Sequence, residues 1–216
     1  MPRRLVILGA GGHGRALIEL VRDLPEMELH GLVDAAPRGP AMLGVPVLGD
    51  ESVLPGLRAA GIGLACIALG DNAARLAAAA RLLALGFALP ALVHPSVVRA
   101  RSATVGEGAV VLPRVVLGAL ADIGRLAIIN TGAIVEHDAV VGEAAHVGPG
   151  AVLAGGVRLG PRALVGAGAA CRPYVTIGAD AVVGVGAAVT GPVAAGQTVG
   201  GVPARPLARP LAHPSG

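Results

Sequence analysis

The sequence predicts a small α/β domain followed by a parallel β-helix built from a six-residue repeat. Apolar residues recur at every sixth position from Val105 to Val189, and a glycine-rich motif follows a short apolar run near the N-terminus. Composition supports the same fold: 34 Gly and 17 Pro among 216 residues indicate many turns, whereas 54% hydrophobic residues are too many for a disordered chain.

Two apolar columns define the repeat. One holds large aliphatic residues or cysteine, and the other, four residues later, holds only alanine and valine. The first comprises Val105, Val111, Leu117, Ile123, Ile129, Val135, Val141, Val147, Leu153, Leu159, Val165, Cys171, Ile177, Val183 and Val189. The second runs from Ala109 to Val193. Such a pattern predicts short strands whose inward side chains alternate between large and small.

Glycine adds a longer period. Five glycines recur every eighteen residues, namely Gly106, Gly124, Gly142, Gly160 and Gly178. We therefore expect three strands per coil, with coils about 4.8 Å apart and with these glycines in turn conformations that a Cβ would penalise. The interior of such a prism is narrow, which agrees with a chain that has one Tyr, one Phe and no Trp.

Composition also excludes several classes of function. The net charge is only +3 and aromatic residues make up 1% of the chain, so a nucleic-acid-binding protein is not expected. Residues 181–204 carry no charge, but they contain six Gly and two Pro, and the apolar pattern there has the six-residue period rather than that of a membrane helix, so we expect no membrane span. Cys66 and Cys171 lie in apolar runs and predict reduced core residues of a cytoplasmic protein.

The N-terminal part carries a candidate nucleotide site. The apolar run Leu5–Leu8 precedes a G-x-G-x-x-G motif, which includes Gly12, His13 and Gly14, and a helical pattern follows. A second apolar run ends at Asp34 and a third at Gly70-Asp71-Asn72. A parallel sheet would bring these three strand ends to one edge. About ninety residues provide one mononucleotide half, so a single nucleotide fits better than NAD; alternatively, the glycines only permit close packing of strand and helix.

Residues of about 93–193 resemble the left-handed parallel β-helix of the hexapeptide-repeat acyltransferases. The whole chain is similar to a narrower group, the bacterial sugar acyltransferases that include sialic-acid O-acetyltransferase-like proteins and N-acetyltransferases of bacillosamine and perosamine synthesis. The similarity lies in Gly12-His13-Gly14, Gly70-Asp71-Asn72, Asn130-Thr131, Glu136-His137-Asp138, His146 and Gly201-Val202-Pro203-Ala204-Arg205.

This resemblance implies three parts: a Rossmann-like nucleotide-sugar-binding half domain at 1–90, a left-handed β-helix at 91–195 and an extended tail at 196–216. It also implies a cytoplasmic homotrimer with active sites between subunits. The expected reaction moves acetyl from acetyl-CoA to the 4-amino group of a nucleotide-linked deoxyamino sugar, by direct attack in a ternary complex.

His137 is the predicted general base. Its neighbours eighteen residues away are Ala119 and Gly155, so small residues leave a recess beside its ring. Loss of a proton from the attacking amine is assisted by an imidazole. By resemblance, Asp138 holds the other ring nitrogen, and Glu136 is the alternative carboxylate for the same role.

The remaining site residues fall into two groups. The expected nucleotide-sugar contacts are Gly12, His13, Gly14, Asp34, Gly70 and Asn72. By resemblance, the expected acetyl-CoA contacts are His146, Gly155, Ala167, Val185 and Pro203. His146 could equally be an ordinary wall residue, and Cys171, at an inward position, is not expected to be a nucleophile.

Three other functions remain open at this point. O-acetylation of a sialic-acid-type sugar would need similar residues. A zinc enzyme resembling the β-helical carbonic anhydrases would need a third histidine, and none lies at a suitable spacing from His137 and His146. We therefore expect no metal. A non-catalytic scaffold that senses a nucleotide is the last alternative.

Overall fold

The computed structural model describes residues 2–207. The chain forms two compact units, of which the first extends to Leu92 and the second begins at Val93. Among the described residues, no helix is long and apolar enough to cross a membrane.

The first unit is a parallel α/β sheet. Its elements are β1 (Arg3–Leu8), α1 (Gly12–Arg22), β2 (Met27–Val33), β3 (Ala41–Met42), β4 (Val45–Pro46), a 3-10 turn (Glu51–Val53), α2 (Leu54–Ala59), β5 (Leu64–Ile67) and α3 (Asn72–Ala84). The sheet order is β2-β1-β5, with both pairs parallel, and β3 and β4 form a separate antiparallel hairpin. The carboxyl ends of the three parallel strands therefore meet at one edge, as the sequence predicts.

The second unit is a parallel β-helix of short strands. They are β6 (Leu92–Val93), β7 (Val98–Arg99), β8 (Thr104–Val105), β9 (Val110–Val111), β10 (Val116–Leu117), β11 (Asp122–Ile123), β12 (Ile128–Ile129), β13 (Ile134–Val135), β14 (Val140–Val141), β15 (His146–Val147), β16 (Val152–Leu153), β17 (Arg158–Leu159), β18 (Leu164–Val165), β19 (Ala170–Cys171), β20 (Thr176–Ile177), β21 (Val182–Val183), β22 (Ala188–Val189), β23 (Thr198–Gly200) and β24 (Arg205–Pro206).

Strands stack on their counterparts eighteen residues away. Ile134, for example, pairs with Val116 in the preceding coil and Val152 in the following one. Three sheets result, and both predicted apolar columns fill the space between them. The predicted fold class, an α/β half domain followed by a β-helix of hexapeptide repeats, is confirmed.

Three corners connect the sheets, and each is named here by its residues. The glycine corner comprises residues 130–132, 148–150, 166–168 and 184–186. The histidine corner comprises residues 118–120, 136–138, 154–156 and 172–174. The charged corner comprises residues 106–108, 124–126, 142–144, 160–162 and 178–180, and it carries the ion pairs Arg125–Glu143 and Arg162–Asp180.

The glycines that recur every eighteen residues do not adopt the turn conformation that was expected of them, so that part of the prediction is wrong. Gly142 and Gly160 do not have positive φ. Instead, a Cβ on Gly160 would lie 2.5 Å from the backbone nitrogen of Ala179, and one on Gly142 would lie 2.6 Å from that of Pro161. These glycines are required because adjacent coils approach too closely for any side chain.

The left-handed backbone conformation occurs at the third residue of each corner turn, and non-glycine residues often adopt it. At this corner position φ is +58° in Asp138, +51° in Ala144 and +60° in Tyr174. An L-residue pays about 1 kcal/mol for this conformation, and the hydrogen bonds between coils hold it in place. The tight turn therefore depends on stacking rather than on glycine alone.

The period shortens at the C-terminal end. Val182 pairs with Thr198, sixteen residues on, so β23 adds a final strand to the sheet that contains β21. After a turn, β24 pairs antiparallel with β23. Part of the predicted tail therefore forms strands, whereas residues 208–216 lie outside the described residues.

Replacing Gly160 by alanine is expected to destabilise the β-helix by about 3 kcal/mol, because the new methyl group would overlap backbone that cannot move without breaking hydrogen bonds between coils. The matched control is Gly150→Ala. Gly150 has φ +64° and open space around its Cβ position, so only about 1 kcal/mol is expected. Urea unfolding of both variants measures the difference; equal losses would contradict this account.

Candidate functional site

In the glycine loop between β1 and α1, one glycine is closely packed and two others have open space around their Cβ positions. A Cβ on Gly14 would lie 2.6 Å from the carbonyl oxygen of Gly9, so Gly14 permits close packing of helix on strand. Gly11 and Gly12, in contrast, have no atom within 4 Å of their Cβ positions. A ligand could therefore approach the backbone at the N-terminus of α1, where free N–H groups favour an anion.

Asp34 braces this loop from the neighbouring strand. Its carboxylate accepts a hydrogen bond from the backbone N–H of Ala10 at 2.5 Å and another from that of Ala36 at 2.8 Å. The predicted contact with a sugar hydroxyl would share these oxygens. In the structure, the carboxylate of Asp34 holds the loop through these two hydrogen bonds.

The turn after β5 is held by a residue that sequence reasoning missed. The buried guanidinium of Arg75 donates to the carbonyl oxygens of Leu69 at 2.9 Å and Gly70 at 3.3 Å, and to Oδ1 of Asn72 at 2.8 Å. Burial lowers the pKa of Arg75 to about 10, so it remains charged at neutral pH. Its position in an Ala/Leu-rich helix was the available signal, since an Arg there either faces solvent, as Arg81 does, or has a buried polar partner.

His13, a predicted nucleotide-sugar contact, is largely buried in this loop. Its Nε2 is buried and has no hydrogen-bond partner among the described residues. Burial and then the charge of Arg75 lower the pKa of His13 to about 4. The ring is therefore neutral at physiological pH, and any attraction for a phosphate at this loop would come from backbone N–H groups.

A cavity of about 220 Å³ adjoins the loop. Its lining combines two arginines with apolar side chains and consists of Ala10, Arg15, Pro37, Arg38, Gly39, Ala41, Met42, Leu43 and Val47. Arg15 and Arg38 were not predicted. They come from the helix after β1 and the turn after β2, so only the tertiary structure brings them together.

On the histidine corner, His137 and Asp138 form a hydrogen-bonded pair. Nδ1 of His137 lies 2.8 Å from Oδ2 of Asp138, and both side chains are about half exposed, at 53% and 57%. Because the carboxylate accepts from Nδ1–H, Nε2 is left as the proton acceptor. The predicted alternative, Glu136, instead accepts the backbone N–H of His137 at 3.3 Å.

The neighbouring coils make room for the imidazole. A Cβ on Gly155 would lie 2.5 Å from both Cε1 and Nε2 of His137. The ring therefore lies over Gly155, in the recess that the sequence predicts. Gly155 was expected to contact acetyl-CoA, but in the structure its lack of a side chain makes room for the imidazole of His137.

The other predicted acetyl-CoA contacts lie elsewhere on the β-helix. Ala167 and the exposed Val185 are on the glycine corner, and His146 lies in β15 just before it. The amide nitrogen of Asn130 lies 3.2 Å from Nε2 of His146, which fixes that ring at the edge of the corner. Sheet β7-β10-β13-β16-β19-β22 separates these residues from His137 and Gly155 within one chain.

Pro203 follows a cis peptide bond in the turn between β23 and β24 and is exposed. Its neighbour Ala204 donates its backbone N–H to the carbonyl of Ala188 at 2.8 Å. This bond ties the turn to the last coil.

Neither cysteine is suited to nucleophilic attack. Both are buried, and burial raises the pKa of the Cys171 thiol to about 12 and that of Cys66 still further. Within residues 2–207, no cluster of three or more His, Cys, Asp or Glu side chains could hold a metal ion.

The family comparisons agree with both units. Residues 4–82 match the PglD N-terminal domain family, and residues 138–173 match the bacterial transferase hexapeptide family, described as six repeats. No curated protein sequence matches the chain. Together with the coil geometry, these matches define a hexapeptide-repeat transferase that carries a PglD-type N-terminal domain.

Solved structures narrow the class. A variant of perosamine N-acetyltransferase from Caulobacter crescentus, in complex with CoA and GDP-perosamine, is 43% identical over 95% of this chain and 97% of that one, with a TM-score of 0.92. The acetyltransferase domain of PglB from Neisseria gonorrhoeae, in complex with acetyl coenzyme A, is 35% identical over 96% and 100%, with a TM-score of 0.89. WeeI from Acinetobacter baumannii is 26% identical over 94% and 99%, with a TM-score of 0.76.

The chain belongs to the family of acetyl-CoA-dependent sugar N-acetyltransferases that contains the Caulobacter crescentus and Neisseria gonorrhoeae proteins. The predicted family, the predicted class of enzyme and acetyl-CoA as the co-substrate are thereby confirmed.

The buried neutral ring of His13 predicts a pH dependence of stability. Because the pKa falls from 6.5 to about 4 on folding, the unfolded chain binds more protons between these values, and stability decreases as pH falls from 6.5 towards 4. The loss is at most about 3 kcal/mol. Urea unfolding of wild type and His13→Asn across pH 4–7 measures it, and we expect a shallower dependence in the variant. Parallel curves would contradict the burial of a neutral ring.

Proposed function

We propose that the enzyme transfers acetyl from acetyl-CoA to the 4-amino group of a nucleotide-linked deoxyamino sugar, by direct attack in a ternary complex. The observation that carries this proposal is the His137–Asp138 pair, whose free Nε2 lies on an exposed corner above Gly155. The CoA and GDP-perosamine complex of the Caulobacter crescentus relative supports the two substrates.

In the proposed mechanism, the sugar amine attacks the thioester carbonyl carbon. A C–N bond forms, and Nε2 of His137 takes the proton that the amine loses. Asp138 keeps the proton on Nδ1 and stabilises the imidazolium that results. The C–S bond then breaks, and the imidazolium returns the proton to the departing thiolate of CoA. Burial of Cys66 and Cys171 supports direct attack over an acyl-cysteine intermediate.

The N-terminal unit is proposed to bind the nucleotide part of the sugar substrate. The open backbone at Gly11 and Gly12 offers N–H donors to phosphate, and Arg15 and Arg38 add positive charge at the adjoining cavity. In this proposal Gly14, Asp34, Gly70 and Asn72 shape the site, and His13 acts as a neutral group.

The glycine corner is the proposed acetyl-CoA surface. Residues 148–150, 166–168 and 184–186 form three stacked Gly-x-Gly turns. Gly150, Gly168 and Gly186 have no atom within 4 Å of their Cβ positions, so an extended chain such as pantetheine can approach this corner closely. His146, Ala167 and Val185 border this surface, and Pro203 is proposed near the adenine. Gly155, on the other corner, is proposed to act through His137.

We also propose a homotrimer with shared active sites. The outward residues of sheet β7-β10-β13-β16-β19-β22 are Val98, Val116, Ile134, Val152, Ala170 and Ala188, all apolar. A second copy packed beside this face would cover it, and it would bring a glycine corner of one subunit towards a histidine corner of another. This arrangement supports a cleft between neighbouring copies.

Replacing His137 by alanine is expected to lower kcat by about 10²–10⁴-fold, because the attacking amine loses its proton acceptor. Binding of the nucleotide sugar, measured by calorimetry, should change less than about threefold. Asp138→Asn should reduce kcat more than Glu136→Gln, since only the first change alters the ring contact. Normal turnover in His137→Ala would remove the mechanism.

An acceptor panel tests the substrate class. With acetyl-CoA, we expect release of free thiol with nucleotide-linked 4-amino-4-deoxy sugars and about 10²-fold less with matched 4-hydroxy sugars, because the site is proposed to act on an amine. A colorimetric thiol assay and mass spectrometry of the product provide the readout. Preferential acetylation of a sialic-acid-type hydroxyl would contradict the proposal in favour of O-acetylation.

A further inference from the structure

Tyr174 lies on the same corner as the proposed base and has no role in the mechanism described so far. It is the one tyrosine of the chain, its residue is 75% exposed, and its φ is +60°. A large apolar ring in water at a position that also accepts glycine needs an explanation, because neither packing nor backbone conformation favours it.

The Tyr174 ring is turned towards the coil of Gly155 and Gly156. A Cβ on Gly156 would overlap Cδ1 and Cε1 of Tyr174, so this ring lies directly over Gly156. The backbone N–H of Tyr174 donates to the carbonyl oxygen of Gly155 at 2.9 Å. The ring therefore leans back by one coil, towards His137.

His137 extends from the preceding coil onto the neighbouring glycine, Gly155. Its Nε2 would lie 2.5 Å from a Cβ on Gly155, the residue next to Gly156. Adjacent α-carbons are about 3.8 Å apart, so the reactive nitrogen and the Tyr174 ring border one small surface from opposite sides. Any side chain larger than hydrogen at Gly155 or Gly156 would displace one of the two rings.

An aromatic ring beside a general base suits an acceptor with an apolar face. A pyranose presents C–H groups on its faces, and aromatic side chains in binding sites bury such surface while polar groups orient the ligand. A deoxy sugar exposes more apolar surface than a fully hydroxylated one. The flexible pantetheine chain would gain less from a flat ring.

We propose that Tyr174 is the platform that holds the acceptor sugar against His137, with the ring on the apolar face of the deoxy sugar and the amino group directed to Nε2. This inference rests on the proposed function and deepens it, since it names a residue that selects the sugar. It predicts that loss of the Tyr174 ring weakens binding of the nucleotide sugar but does not change binding of the free nucleotide or of acetyl-CoA.

The test removes the ring without straining the backbone. Tyr174→Gly suits the positive φ, so its melting temperature should be equal to or higher than that of wild type. We expect the KM for the nucleotide sugar to rise about tenfold, the KM for acetyl-CoA to stay within about twofold, and the free nucleotide to bind as before. Tyr174→Phe retains the ring and should restore most of the affinity.

The matched control is Arg114→Gly, which makes the same backbone change at an exposed residue with φ +61°, one coil before the first turn of the glycine corner. Its KM for the nucleotide sugar should equal that of wild type. An unchanged sugar KM in Tyr174→Gly, a rise confined to acetyl-CoA, or dissociation of the assembly in sedimentation would each overturn the inference.

The proposed function is tested separately by the wild-type enzyme in the same assay. If wild type turns over 4-amino sugars and Tyr174→Gly has the same KM for them, only the proposed role of Tyr174 is overturned. No turnover of any 4-amino sugar by wild type would overturn both.

Discussion

Close stacking of successive coils is the constraint on which the rest of the structure depends. The central two-residue strands are hydrogen-bonded to the strands eighteen residues before and after them, so the chain must return to the same lateral position every eighteen residues. At the corners this brings backbone against backbone, and Gly142 and Gly160 are glycines for that reason. The same stacking holds residues such as Asp138 in a left-handed conformation that they would not adopt alone.

The candidate active site uses a local relaxation of this constraint. His137 is a large ring on a corner, and it fits because the residue one coil later is Gly155. The positive φ of Asp138 turns the chain directly after the base, and the carboxylate reaches Nδ1 at 2.8 Å. A rigid repeat therefore positions two side chains that are adjacent in sequence, without the long loop that many binding sites require.

The N-terminal unit positions its proposed nucleotide site in a different way. Its loops are held by groups that a ligand would not need to touch: Asp34 binds the backbone of the glycine loop, and Arg75 binds the turn after β5. Burial, and after it the charge of Arg75, lowers the pKa of His13 and keeps the ring neutral, so the positive charge near the loop comes from Arg15 and Arg38 instead. Preorganised backbone N–H groups and exposed arginines are a suitable combination for phosphate.

The sequence alone determined the coil, its two apolar columns, the strand–loop–helix order at the N-terminus and His137 as the candidate base, because these depend on fixed spacings along the chain. It did not predict the hairpin β3–β4 or α2, because these short segments carry no period. It also did not predict the role of Arg75, which depends on the turn that its guanidinium contacts. Only the tertiary structure shows that Asp138 rather than Glu136 contacts the imidazole, and that Nε2 of His13 is buried. It also places Gly155 on a different corner from Ala167 and Val185. Side-chain direction at a corner depends on the sign of φ and on the neighbouring coil, and neither can be read from spacing.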